Sequence, residues 1–259
     1  MAREKALEVP SYRDFLCHKL GSEGCELLFA ENALKREYGE ESTLFTYEKM
    51  NSFDNLFSGN YVRPAGGLSD IANAVERSAK RFGVKMYAKE KVKALKRKEN
   101  MFVVQTDNFT VSTKKLVIAA PSFAFKEITG DLAAQIKSNR LFEAILPQPA
   151  FKAVAIYSYP WWENVTSSHY NLTLKPFEIF RSAATCLVDI MPYRHLTKAG
   201  STLSKHDLAK WAKRPFPGEQ IYMVGEAYSI SPGWNEGALM SAYNALKEGW
   251  EIEQPEPYL

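Results

Sequence analysis

The stretch VGEAYSISPGWNEGALMSA, residues 224–242, decides the reading of this chain. An apolar strand, IYMV, runs into Gly225-Glu226. A Ser/Pro/Gly loop follows, and Gly-Trp-Asn-Glu-Gly-Ala opens a helix. A helix start presents unpaired N–H groups and the positive end of the helix dipole, which suits an anion or an electron-rich carbonyl edge. Gly233, Gly237 and Ala238 are small enough to let a flat ligand approach the backbone. Glu226, just past the strand, is placed to accept hydrogen bonds from sugar hydroxyls. The plain alternative is a tight turn with a capped helix.

Working outward, most of the chain alternates between helical and strand patterns. Residues 11–37 carry Tyr12, Phe15, Leu16 and Leu20 on one stripe, with a break at Gly21 and a restart at Ser22. After Pro64, Gly66 and Gly67, a helix beginning at Ser69 or Asp70 turns Ile71, Ala74, Val75 and Ala79 inward and ends at Gly83. A β-rich block follows: 84–88, the strand around 92–95, 101–106, 109–113 and 115–121. The pair joined across Asp107-Asn108 forms a hairpin, and KLVIAAP reads as a buried central strand. Residues 122–139 are helical, 151–157 form a strong strand, FEIFRSAATCLVDIM (177–191) reads as strands, and 204–213 form a short helix. The last strand and last helix complete an α/β (mixed α+β) chain.

Composition narrows the function. The 259 residues are 46% hydrophobic and 24% charged, with a net charge of +3, as in an ordinary globular protein. KEKVKALKRK (89–98) is the densest basic run, but Val92 and Leu95 make it a solvated strand face, not a nucleic-acid patch. Three cysteines without a CxxC indicate neither a zinc site nor a disulfide framework, and the four histidines show no ligand spacing. The sequons at Asn108, Asn164 and Asn171 read as chance occurrences. No apolar run is long enough to span a membrane and no signal-peptide core is present, so a soluble, cytoplasmic chain is expected. One buried cation is suspected: in AFKAVAIY, alternation puts Lys152 on one strand face with Val154 and Ile156. An ammonium there is costly unless paired or hydrated, although snorkelling from the strand end is the equal alternative.

In order along the chain come PAGG and a helix, a hairpin, an apolar strand ending in AAP, a lysine-bearing strand followed by PWW, then GE and GWNEGA. This order resembles the flavin-containing amine oxidases, and the ending is similar to their L-amino acid oxidase side. The resemblance implies a two-lobed FAD-linked fold. Its helical substrate part would be 1–60, FAD-binding parts 61–121 and 221–259, and the substrate-binding domain 122–220. It implies FAD contacts from Val92, Gly225, Glu226, Glu236, Gly237 and Ala238. Trp234 would wall the substrate cage, and Lys152 would hold a water near the flavin. It further implies that the β block, 151–157 and 221–226 form two connected sheets, with the first helices in a separate lobe. Lys152, Trp234 and Glu226 would share one cleft.

The chain departs from the family pattern in having no GxGxxG, the motif that holds the ADP half of a dinucleotide. The expected partner is therefore an N-terminal oxidase chain, or failing that a second copy, alongside a small amine or L-amino acid substrate. The reaction implied is oxidation of an amine to an imine with reduction of oxygen to hydrogen peroxide. The alternative is a degenerate, non-catalytic relative serving as a binding module.

Overall fold

The computed structural model describes residues 9–31, 41–43, 46, 64–154 and 187–252. Among these, helix α1 (Tyr12–Glu31) is broken at Gly21, whose φ of 73° and ψ of 167° leave the helical region. That conformation favours glycine and matches the break read from the sequence. A Cys17–Cys25 disulfide spans the break. The expectation of no disulfide is thus corrected. The kink brings the two Cα atoms to 4.9 Å, within bridging range although no CxxC is present. The helix is tied to the chain by Tyr12 N–H to Glu41 O, and its approach by Gly200 N–H to Pro10 O.

Helix α2 (Ser69–Arg81) forms where its periodicity places it and ends at Gly83, φ 79°. Its stripe does not face inward: α2 has no buried residue, and Ile71 and Val75 are more than half exposed. Periodicity identifies an apolar face but not what covers it. Residues 84–88 are irregular rather than a strand. Val84, Met86 and Tyr87 are exposed, and among the described residues no strand pairs with this segment.

Strands β1 (Val92–Lys98), β2 (Met101–Thr106) and β3 (Thr110–Thr113) form an antiparallel meander. The register slips between Val92 and Ala94. A regular strand would put Val92 and Leu95 on opposite faces. The extra residue at Lys93 instead aligns them opposite Thr106 and Val104, so both face the core. The lysines of this run stay at the surface. The β2–β3 turn at Asp107-Asn108 is clasped by Thr106, whose hydroxyl donates to Phe109 O at 3.0 Å.

Strand β4 (Leu116–Ile118) is shorter than KLVIAAP suggests and is not central: among the described residues it pairs only with β7 (Ile221–Met223), in parallel. Val117 is correspondingly 40% exposed. Strand β5 (Ile145–Val154) starts earlier than expected and pairs antiparallel with β6 (Leu187–Thr197). Among the described residues the strands form three small sheets, where two connected ones were expected. The short helices α3 (Ser122–Lys126), α4 (Asp131–Lys137) and α5 (Arg140–Glu143) link β4 to β5. Gly130, at φ 98°, lets α4 start against β1: a Cβ there would lie 2.1 Å from Leu95 O.

Helix α6 (Lys205–Lys213) opens with a reciprocal capping box between Ser204 and Asp207. Helix α7 (Asn235–Trp250) lies beside β7 as expected. Gly249 admits the Tyr222 ring, and Lys115 reaches from the foot of β4 to the Gly249 carbonyl, with its ammonium over the Trp250 ring at 4.8 Å. A cation at a helix C-terminus opposes the dipole favourably. Among the described residues the larger hydrophobic core runs through Leu95, Phe125, Ile136, Leu208, Ile221 and Tyr228, and a smaller one joins β7 to α7 through Tyr222, Val224 and Ala245. No helix among the described residues is long and apolar enough to cross a membrane.

Candidate functional site

The end of β7 is built almost entirely by its own loop. Gly225 leaves the strand at φ 138° and ψ 168°, a conformation open to glycine and little else. A 3-10 turn, Glu226–Tyr228, follows. Ser241 on α7 receives the Gly225 N–H at 2.9 Å and donates to Ala238 O at 2.7 Å, pinning the strand end to the helix. Ser229 donates to Glu226 O at 2.9 Å and accepts from Ser231 N–H at 3.1 Å.

Tyr228 is buried, and its hydroxyl donates to Ala120 O at 3.1 Å, tying this loop to the AAP segment after β4. Burial, with a smaller contribution from the charge of Glu226, pushes the Tyr228 phenol far above its ordinary value.

Glu226 is already engaged. Gly233 N–H donates to Oε2 at 2.7 Å, closing the loop across its base. Oε1 faces Nδ1 of His195, a side chain from the far end of β6. His195 is 4% exposed and stacks on Phe123 at 6.4 Å. Its Nε2 accepts the Ser122 N–H at 3.3 Å, so the ring carries its proton on Nδ1 and donates it to Glu226. The sequence reading passed over His195 because no spacing joins it to its partners, which lie 31 and 73 residues away.

Helix α7 begins without a side-chain cap; Trp234, extended at φ −128°, precedes it, and an indole has no acceptor to offer. Trp234 is 42% exposed, and Glu236 is exposed beside it. Gly237 is buried, and its missing side chain makes room for the protein itself. A Cβ would stand 2.1 Å from Ser231 O and 2.4 Å from Ser229 Oγ. At this position the glycine admits the 226–233 loop. Ala238 is partly buried behind it.

The remaining candidates lie elsewhere. Val92 opens β1 at the bulge. Lys152 lies on β5 opposite Asp189, and its side chain is outside the described residues, as is all of 155–186. The structure thus brings together Gly225, Glu226, Trp234, Glu236, Gly237 and Ala238 as one strand–loop–helix unit. No metal-binding group of His, Cys, Asp or Glu occurs among the described residues.

An uncapped start on a 16-residue helix, beside an exposed indole, can receive an anion or an electron-rich carbonyl edge. Comparison with known proteins bears on the family. The family model described as flavin containing amine oxidoreductase matches residues 18–214, about three quarters of the chain. The match takes in the PAGG, AAP and PWW segments and stops short of 224–242. No curated protein matches the chain. FAD is the cofactor that the family implies, and the mixed helix-and-strand fold agrees with it. The chain belongs to the flavin-containing amine oxidoreductase family.

Proposed function

We propose that the protein is an FAD-dependent oxidase of amines, on the L-amino acid side of its family, and that hydrogen peroxide is a product. Bound FAD supplies the two-electron acceptor that takes a hydride equivalent from the substrate C–H bond and passes the electrons to dioxygen. The amine leaves as an imine, which water hydrolyses to a carbonyl compound and ammonia. The observation that carries this reading is the family match over 18–214, joined to an uncapped α7 start next to Trp234.

The chain's own residues have simple tasks in this scheme. The first N–H groups of α7 would hold the pyrimidine edge of a bound flavin, where their partial positive charge would favour the reduced form. Trp234 offers a flat apolar wall that orients the substrate amine and limits water. Lys152 holds a water for the oxygen half-reaction, and the Val92 backbone contacts the adenine end. The helical 1–60, 61–121, 122–220 and 221–259 parts divide between substrate and FAD binding as the resemblance implies. Because the sequence contains no GxGxxG, a dinucleotide-binding unit beyond these residues, on a partner chain or the same polypeptide, completes the ADP half of the site.

A second reading, a non-catalytic binding module, is favoured by one observation. Both carboxylate oxygens of Glu226 accept a hydrogen bond from within the protein, one from His195 and one from Gly233. Anaerobic mixing separates the two. The chain assembled with FAD and a dinucleotide-binding unit is exposed to L-amino acids while the flavin colour is followed. Bleaching by L- but not D-amino acids, with peroxide formed on admitting air, is the expected result. A coloured complex that no amine bleaches points to the binding module.

A further inference from the structure

Four groups from three distant segments form one hydrogen-bonded chain: Ser122 N–H to His195 Nε2, His195 Nδ1–H to Glu226 Oε1, and Gly233 N–H to Glu226 Oε2. Each link is directional. Ser122 opens α3, held by the core through Phe125. His195 comes from β6, where it stands opposite Pro147. Gly233 immediately precedes Trp234 and the first turn of α7. The imidazole is clamped on its face by Phe123 and at both nitrogens, and it has almost no exposure to solvent. A carboxylate held at both oxygens by fixed donors has few alternative positions.

We infer that His195 is a positioning residue of the flavin site: by fixing Glu226 it sets where Gly233, Trp234 and the uncapped start of α7 stand. This rests on the proposal that the α7 start faces a flavin. Glu226 then acts as the strut of the 226–233 loop, and the ribityl chain finds its hydrogen bonds elsewhere. Removing His195 frees Oε1, lets the carboxylate turn away from Gly233, and loosens the loop end without touching the flavin. Phe123 and the Ser122 amide lose their partner in the same step, so the loosening reaches α3 as well.

The test compares His195→Leu, His195→Asn and His195→Gln by backbone hydrogen exchange at Gly233. FAD affinity is measured separately on the assembled protein. The loss of one hydrogen-bond anchor raises Gly233 exchange about tenfold in His195→Leu. His195→Asn keeps a donor at the Nδ1 position and restores protection. His195→Gln reaches the Nε2 position, serves Ser122 and leaves Gly233 fast. Should His195→Leu fail to fold, the Asn and Gln pair carries the test alone. FAD affinity is expected to fall with the loss of protection and to recover with the Asn variant. Unchanged Gly233 exchange in His195→Leu, or rescue by Gln and not by Asn, would overturn the inference. FAD that fails to bind even the unaltered assembly, with Gly233 behaving as expected, would sink the flavin reading and leave the hold of His195 on Glu226 standing.

Discussion

Gly237 and Ser231 touch as closely as a helix and its preceding loop can: a Cβ on residue 237 would meet the Ser231 carbonyl oxygen at 2.1 Å. In a helix interior, Gly→Ala normally stabilises by about 1 kcal/mol. Here the sign reverses, because backbone, not a flexible side chain, occupies the space. Gly237→Ala is expected to destabilise the protein by about 2–4 kcal/mol. Gly218→Ala is the comparison: φ is +85° with nothing within 4 Å, so only about 1 kcal/mol of backbone strain is expected. Urea unfolding of both variants checks the difference; equal losses would mean the loop does not pack on Gly237.

Tyr228 gives a pH prediction. Its folded-state pKa lies above the unfolded tyrosine value of about 10. The folded protein therefore keeps this proton where the unfolded chain has released it. The contribution is fully present below about pH 10 and is lost as pH rises beyond it. Tyr228→Phe is expected to cost about 1 kcal/mol at neutral pH, through the bond to Ala120 O, and to flatten the alkaline decline. Stability curves between neutral and strongly alkaline pH show whether the two slopes differ.

The Cys17–Cys25 bridge predicts a thiol count. Unfolded without reductant, a chain of three cysteines should show one reactive thiol, and after reduction three. Closing so short a loop is worth about 2–3 kcal/mol. Cys17→Ser/Cys25→Ser is thus expected to unfold α1 at lower denaturant. Three thiols before reduction would show that the bridge does not form in solution.

Ser204 anchors α6 through both halves of its capping box. Ser204→Ala is expected to cost about 1 kcal/mol, and Ser204→Thr or Ser204→Asn little. Chemical denaturation of the three variants distinguishes capping from a general loss of polarity at a buried position.

Local features were the legible ones. The β2–β3 hairpin, the Gly21 break, α6 and the β7–α7 unit all follow from turn residues, caps and periods within a few residues. The errors lie where a pattern needs a partner. Residues 84–88 alternate like a strand yet pair with no strand among the described residues, and none of those residues buries the α2 stripe. KLVIAAP is apolar enough for a central strand, but only β7 pairs with it among the described residues. At the site, Gly225, Glu226 and the α7 start were visible because they are contiguous. His195 was not, since only the folded chain brings β6 to the 226–233 loop. Gly237 was recognised as requiring a small side chain, but the atom that needs the space belongs to Ser231.

The central claim is that these residues form one face of a flavin site completed by a dinucleotide-binding unit. It is tested most directly by the visible absorption spectrum of the purified chain, alone and co-expressed with a GxGxxG-bearing oxidase fragment. Alone, with unbound FAD removed, the chain is expected to be colourless, because the ADP half supplies most of the affinity and each 1.4 kcal/mol lost is about tenfold in binding. Exposed apolar side chains on α2 and after it also favour self-association of the isolated chain. Co-expressed, it should purify as a yellow complex whose flavin band persists through gel filtration. A stable yellow monomer from the 259 residues by themselves, or a colourless chain with every fragment supplied, would contradict the account.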